Sequence, residues 1–159
     1  MLSGKQWELL ECFAALESSE GGVPSAEQVE RMLEALWLHV RLTERHVQPL
    51  VVRVEGHARA LQEAEVLLTL HELMAELECF PRGSPEWFAR LGAMEDAALA
   101  HVRSLELQLF PRLAAALDAH EQVDLIRALA ATREALWMEM RRTRRAFRAP
   151  EDADSCSIS

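Results

Sequence analysis

One short pattern occurs twice in this chain and constrains its fold more than any other feature. Residues 39–44 read His-Val-Arg-Leu-Thr-Glu, and 62 positions later residues 101–106 read His-Val-Arg-Ser-Leu-Glu. A proline follows each copy at the same distance, Pro49 or Pro111, and should kink or end its helix. Apolar residues recur at helical spacing through both copies. The repeat therefore predicts two similar helical hairpins related by a pseudo-twofold axis, with the two histidines at equivalent positions.

Caps and chain breakers divide the sequence into five predicted helices. Ser-x-x-Gln capping boxes start at Ser3 and Ser25, and Ser84 precedes a proline at the favoured first helical position. The predicted helices run from Ser3 to about Ser18, from Ser25 to Gly56, from Gly56 to Pro81, from Ser84 through Leu109, and from Asp118 to about Arg145. Short links between the first four predict an all-α antiparallel four-helix bundle, with a fifth C-terminal helix docked on it.

The chain has 159 residues, enough for one domain, which we place at residues 1–149. Residues 150–159 are acidic and small, and we expect them to form a disordered tail. Three cysteines lie far apart without a Cys-x-x-Cys pair, which favours reduced thiols in the cytoplasm over a zinc module. Cys156-Ser157-Ile158-Ser159 has the form of a prenylation box, and the sequence leaves open whether it is lipidated.

Charge and hydropathy narrow the range of partners. The formal net charge is −9 and the sequence indicates no domain-wide basic surface, which argues against nucleic acid as the main partner. No apolar run approaches the roughly 20 residues that span a bilayer. The sequence contains neither a Gly-x-Ser-x-Gly elbow nor a phosphate-binding glycine loop, so we do not expect an enzyme. The partners that these observations leave open are another protein or a second copy of this chain.

Several motifs around the second copy of the repeat resemble those of a known family. His101 is followed by Leu109-Phe110-Pro111-Arg112-Leu113, and a Gly-Ser-Pro-x-x-Phe turn at residues 83–88 precedes it. With the repeat, these residues make the chain resemble the hemerythrin-like, HHE-type cation-binding family over nearly the whole predicted bundle. The resemblance implies a four-helix bundle around a non-haem di-iron site. Typical members supply one histidine each from the first and third helices and a His-x-x-x-Glu pair each from the second and fourth.

The positions that match these six ligands hold mostly other residue types here. In chain order they are Gln6, His39, Thr43, Leu67, His101 and Leu105. Glu44 and Glu106 come five residues after their histidines, where an α-helix has turned by about 140° to another side. A local π-bulge could bring Glu106 round, and His71, one turn after Leu67, could replace the third-helix histidine. The candidate metal ligands are therefore His39, His71, His101, Glu44 and Glu106.

Two functional hypotheses follow from the retained scaffold and the replaced ligands. In the first, the metal centre is degenerate, no cofactor is bound, and the bundle is a binding, sensing or interaction module. In the second, the candidate ligands hold iron in a rearranged site, for oxygen binding, iron storage or peroxide chemistry. A third hypothesis is that His39 and His101 together ligate a haem. The simplest structural reading makes these two histidines core-edge residues, with Glu44 and Glu106 solvated or paired with arginines.

Overall fold

The described part of the computed structural model is helical throughout and contains no strand. The structure describes the backbone of residues 6–17 and 22–154, and side chains over 9–16 and 22–143. The helices are α1 Gln6–Glu17, α2 Ala26–Leu42, α3 Gln48–Glu55, α4 His57–Glu78, α5 Pro85–Ser104, α6 Phe110–Ala116 and α7 Ala119–Asp154. Two single π-helical turns join consecutive helices. The first π turn, Thr43–Val47, joins α2 to α3, and the second π turn, Leu105–Leu109, joins α5 to α6. The all-α prediction is confirmed for these residues.

Side-chain caps start the helices where the sequence predicts them. The Ser25 hydroxyl accepts a hydrogen bond from the Gln28 amide at 3.1 Å, and the Gln28 side chain accepts one from the Ser25 amide at 2.9 Å. The Ser84 hydroxyl accepts from the Trp87 amide at 3.2 Å. Asp118 caps α7 by accepting from the Glu121 amide at 2.8 Å. The capping box predicted at Ser3 lies outside the described residues.

Both long helices continue through their prolines by widening into a π turn. In each case the amide of the residue just before the proline donates to a carbonyl five residues back, from Gln48 to Thr43 and from Phe110 to Leu105. A proline cannot donate this bond, and its ring crowds the carbonyl four residues earlier. A wider turn makes room for the ring without ending the helix. Residues 26–55 and 85–116 therefore each form one continuous helical segment.

The two copies of the repeat share six buried positions. Buried residues 62 positions apart are Met32 and Met94, Leu36 and Ala98, Val40 and Val102, Thr43 and Leu105, Val47 and Leu109, and Val51 and Leu113. The first three pairs belong to a core cluster that also includes residues of α1 and α4. Val47, Val51, Leu105, Leu109 and Leu113 form a second cluster around the π turns, completed by Ala60. Each π turn therefore lies over apolar packing.

Helix packing places α2 and α5 on the same core. α1 packs against α2 and also contacts α5, while α4 packs against α5 and α3 and contacts α2. α7 lies on α2 and the first π turn, where the His46 ring and the Thr132 hydroxyl are 2.7 Å apart. α7 extends past Pro150 to Asp154, and residues 155–159 of the expected tail, with Cys156, are outside the described residues. Among the described helices, none combines the length and apolar character needed to cross a bilayer.

Candidate functional site: a buried histidine pair

His39 of α2 and His101 of α5 meet in the core, as their equivalent places in the repeat predict. Their ring centroids are 5.2 Å apart, with the ring planes inclined at 74° in an edge-to-face contact. His101 is only 2% exposed. Both of its ring nitrogens are buried without a hydrogen-bond partner, and so is Nε2 of His39. We call these two residues the inner pair.

Burial keeps the inner pair uncharged at neutral pH. Loss of hydration, and to a smaller extent repulsion from His101, lowers the pKa of His39 to about 3. Loss of hydration also lowers the pKa of His101 to about 4. Both values lie below the ordinary histidine pKa of 6.5. The site therefore presents two neutral imidazoles, each of which offers one N–H donor and one lone pair.

The surroundings of the inner pair do not fit a di-iron centre. The Thr43 hydroxyl is buried and donates a hydrogen bond of 2.8 Å to the His39 carbonyl, within its own helix. Leu67 and Leu105 are each 1% exposed and present only hydrocarbon. A di-iron site of this kind would need carboxylates in place of Thr43 and Leu105 and an imidazole in place of Leu67. The Gln6 side chain, at the remaining family position, lies outside the described side chains.

Glu63 is a buried carboxylate that the sequence reasoning missed. It lies on α4, is 5% exposed, and has one oxygen 3.0 Å from Arg59 Nη2 and the other 3.8 Å from His101 Nδ1. A signal for it exists in the sequence, because Glu63 lies one helical turn before Leu67. It thus shares the buried stripe of α4 with Ala60, Leu67 and Leu70. The inner pair therefore has one acidic neighbour, which a basic side chain already neutralises.

His71 and Glu44 come together away from the inner pair, at the protein surface. His71 Nε2 lies 3.0 Å from Glu44 Oε1, and each side chain is about one-third exposed. Glu44 also pairs with Arg41 at 3.3 Å. The expectation that Glu44 is paired with an arginine is confirmed. We call His71 and Glu44 the outer pair, which joins α4 to the first π turn.

Glu106 lies in the second π turn but does not replace Leu105 as the inward residue. The Leu105 amide still bonds to the His101 carbonyl in the α-helical manner, so the wider turn begins only after Leu105. Glu106 is partly buried and forms no ion pair with another described residue. The π turn that the sequence suggested is present, but it does not turn Glu106 toward the core. The buried residue one turn after His101 is Leu105.

The five candidate ligands therefore fall into two pairs and a separate glutamate. Over residues 9–16 and 22–143, no three or more histidine, cysteine or acidic side chains form a group that could hold a metal ion. Iron binding by these five residues stays a prediction. The structure places the two imidazoles of the inner pair next to each other. Comparison of the chain with protein-family models, with curated proteins and with solved structures found no match to any of them.

Proposed function

We propose that the chain is a hemerythrin-like four-helix bundle of two pseudo-symmetric hairpins, with α7 docked as a fifth helix. The repeated burial pattern and the two π turns at equivalent positions support this arrangement. The packing of α1 on α2 and of α4 on α5 gives the two hairpins, and α2 contacts α4. The family resemblance rests on the sequence motifs alone.

In function, this protein is a binding or sensing module whose metal centre is degenerate. The observation that carries this proposal is the inner pair, which keeps two of the family's four histidines while buried Thr43, Leu67 and Leu105 stand at three of its other ligand positions. Each buried nitrogen without a partner costs about 1–3 kcal/mol relative to a hydrogen-bonded one. Such groups persist in native proteins for a reason, and a polar ligand or water bound at these ring nitrogens would supply one. An exposed thiol at Cys79 suits a reducing cytoplasm.

Metal content and an absorption spectrum of untagged protein test this function. We expect less than one tenth of an iron atom per chain and no band above 300 nm, both after purification and after anaerobic incubation with Fe(II). A matched sample of the His101→Leu variant provides the baseline. Two tightly held iron atoms per chain, absent from the variant, would overturn the proposal.

The alternative is a working non-haem iron protein with His39, His71, His101, Glu44 and Glu106 as its ligands. The unpartnered nitrogens of the inner pair favour it, because neutral imidazole is a good ligand for iron. The pairing of Glu44 with both Arg41 and His71 opposes it. This alternative predicts a coloured, oxygen-sensitive protein whose absorbance disappears in His101→Ala and decreases in His71→Ala. A Soret band after addition of haem would instead indicate haem ligation by the inner pair.

A further inference from the structure

A cleft on the other side of α2 has an apolar floor and does not involve the inner pair. It lies between α2, α4 and α7 and has a volume of about 590 Å³. Its floor is formed by Leu33 and Trp37 of α2, Met74 of α4 and Met140 of α7. A volume of this size is typical of small-molecule sites, and methionine side chains adapt to ligands of different shape.

The rim of this cleft is strongly acidic. Glutamates from all three helices line it, Glu30 and Glu34 from α2, Glu78 from α4 and Glu139 from α7. Over the described residues, neither lysine nor arginine lines the cleft. Glu78 and Glu139 are exposed and form no ion pair with a described side chain. An apolar cleft lined by one sign of charge concentrates ligands of the opposite charge.

Trp37 adds a surface suited to a cation. Its ring already has the Arg41 guanidinium 5.6 Å from its centroid, and tryptophan is the best cation–π acceptor among the side chains. The imidazole of His71 also lines the cleft, where its Nε2 is engaged by Glu44. Aromatic, apolar and anionic groups thus converge on one concave surface.

We infer that this cleft binds a hydrophobic organic cation, a protonated or quaternary amine carried on an apolar ring or chain. The apolar part would lie on Trp37, Met74 and Met140, and the positive centre would face Glu78 and Glu139. The acidic rim excludes organic anions, and the volume suits a small molecule rather than a protein helix. This inference does not depend on the metal content of the inner pair.

Calorimetric titration with two ions of the same shape and opposite charge tests the inference. The probes are tetraphenylphosphonium and tetraphenylborate. We expect the cation to bind in a 1:1 ratio, at least tenfold more tightly than the anion, with affinity that decreases as salt is raised. The signal of the Trp37 indole N–H, assigned with Trp37→Phe, should shift on addition of the cation. Equal binding of both ions, or no binding of the cation, would overturn the inference.

Two glutamates of α4 provide matched variants with the same change of charge. Glu78→Gln removes a rim carboxylate and should weaken binding of the cation threefold to tenfold. Glu65→Gln, exposed on α4 and outside the cleft, should leave the affinity within a factor of 1.5. Equal effects of the two variants would contradict a site at this cleft. Sedimentation at the same concentrations adds a further check. If the chain forms a dimer that Glu78→Gln dissociates, and the cation does not bind to that dimer, the cleft is a protein interface and the inference is wrong.

Discussion

The inner and outer pairs both contain histidine, but they lie in opposite environments. His101 is buried and His39 half-buried, and both have buried ring nitrogens without partners, whereas His71 is partly exposed and bonded to Glu44. Both pairs connect neighbouring helices near the π turns. The inner pair costs stability unless something binds it, and the outer pair is a partly exposed hydrogen-bonded pair that contributes little to stability. Environment, more than residue type, decides which histidines are candidates for function.

The largest expected effect comes from introducing an acid one helical turn after His101. Leu105→Glu places a carboxylate at a position that is 1% exposed, and we expect a loss of about 3–5 kcal/mol in the free energy of unfolding. Leu107→Glu is the control, because this neighbour in the same π turn is 76% exposed and should change stability by less than about 0.5 kcal/mol. Urea unfolding without metal measures both. Similar stability of the two variants would mean that position 105 does not face a closed core.

The inner pair should also dominate the acid sensitivity of the fold. Because the folded pKa values of His39 and His101 lie below 6.5, the unfolded chain takes up protons first and stability decreases as pH falls below 6.5. Between pH 7 and pH 5, each histidine should contribute about 1–2 kcal/mol of this loss. His101→Gln should therefore flatten the dependence relative to the native chain. Parallel curves for this variant and the native chain would contradict the burial of the inner pair.

The smallest expected effect is the loss of the outer pair. Glu44 and His71 are each about one-third exposed, so His71→Ala should cost less than about 1 kcal/mol. Screening reduces any charged contribution, and the difference from the native chain should shrink further between low and high salt. Chemical unfolding at two ionic strengths measures it. A cost above about 2 kcal/mol would show that the outer pair stabilises the fold as strongly as a buried pair does, and would contradict its small expected contribution.

Local patterns in the sequence predicted the helices well. Ser25, Ser84 and Asp118 begin helices because each side chain satisfies an amide that has no partner within the helix. The repeat predicted that His39 and His101 occupy equivalent positions, and they are in contact. A π turn was considered only as a means of reorienting Glu106. The structure has one in each half, since a proline follows each copy.

The candidate site was less predictable, because helical spacing does not fix which side of a helix faces the core. His71 follows Leu67 by one turn and was expected beside the other histidines, but it lies at the edge of the buried stripe of α4. Glu63 lies within that stripe and was overlooked, because a charged residue among leucines is read as exposed. Tertiary packing decides that this part of α4 faces the core, while the partner Arg59 lies four residues earlier on the same helix.

Nitrogen-15 NMR of the histidine rings tests the central claim most directly. In long-range proton–nitrogen spectra at pH 5.5, we expect two imidazoles, assigned by His39→Gln and His101→Gln, to remain neutral. Both signals should stay sharp after incubation with Fe(II). Protonation of either ring at this pH, or loss of both signals through paramagnetic broadening by bound iron, would contradict a buried neutral pair in place of a metal centre.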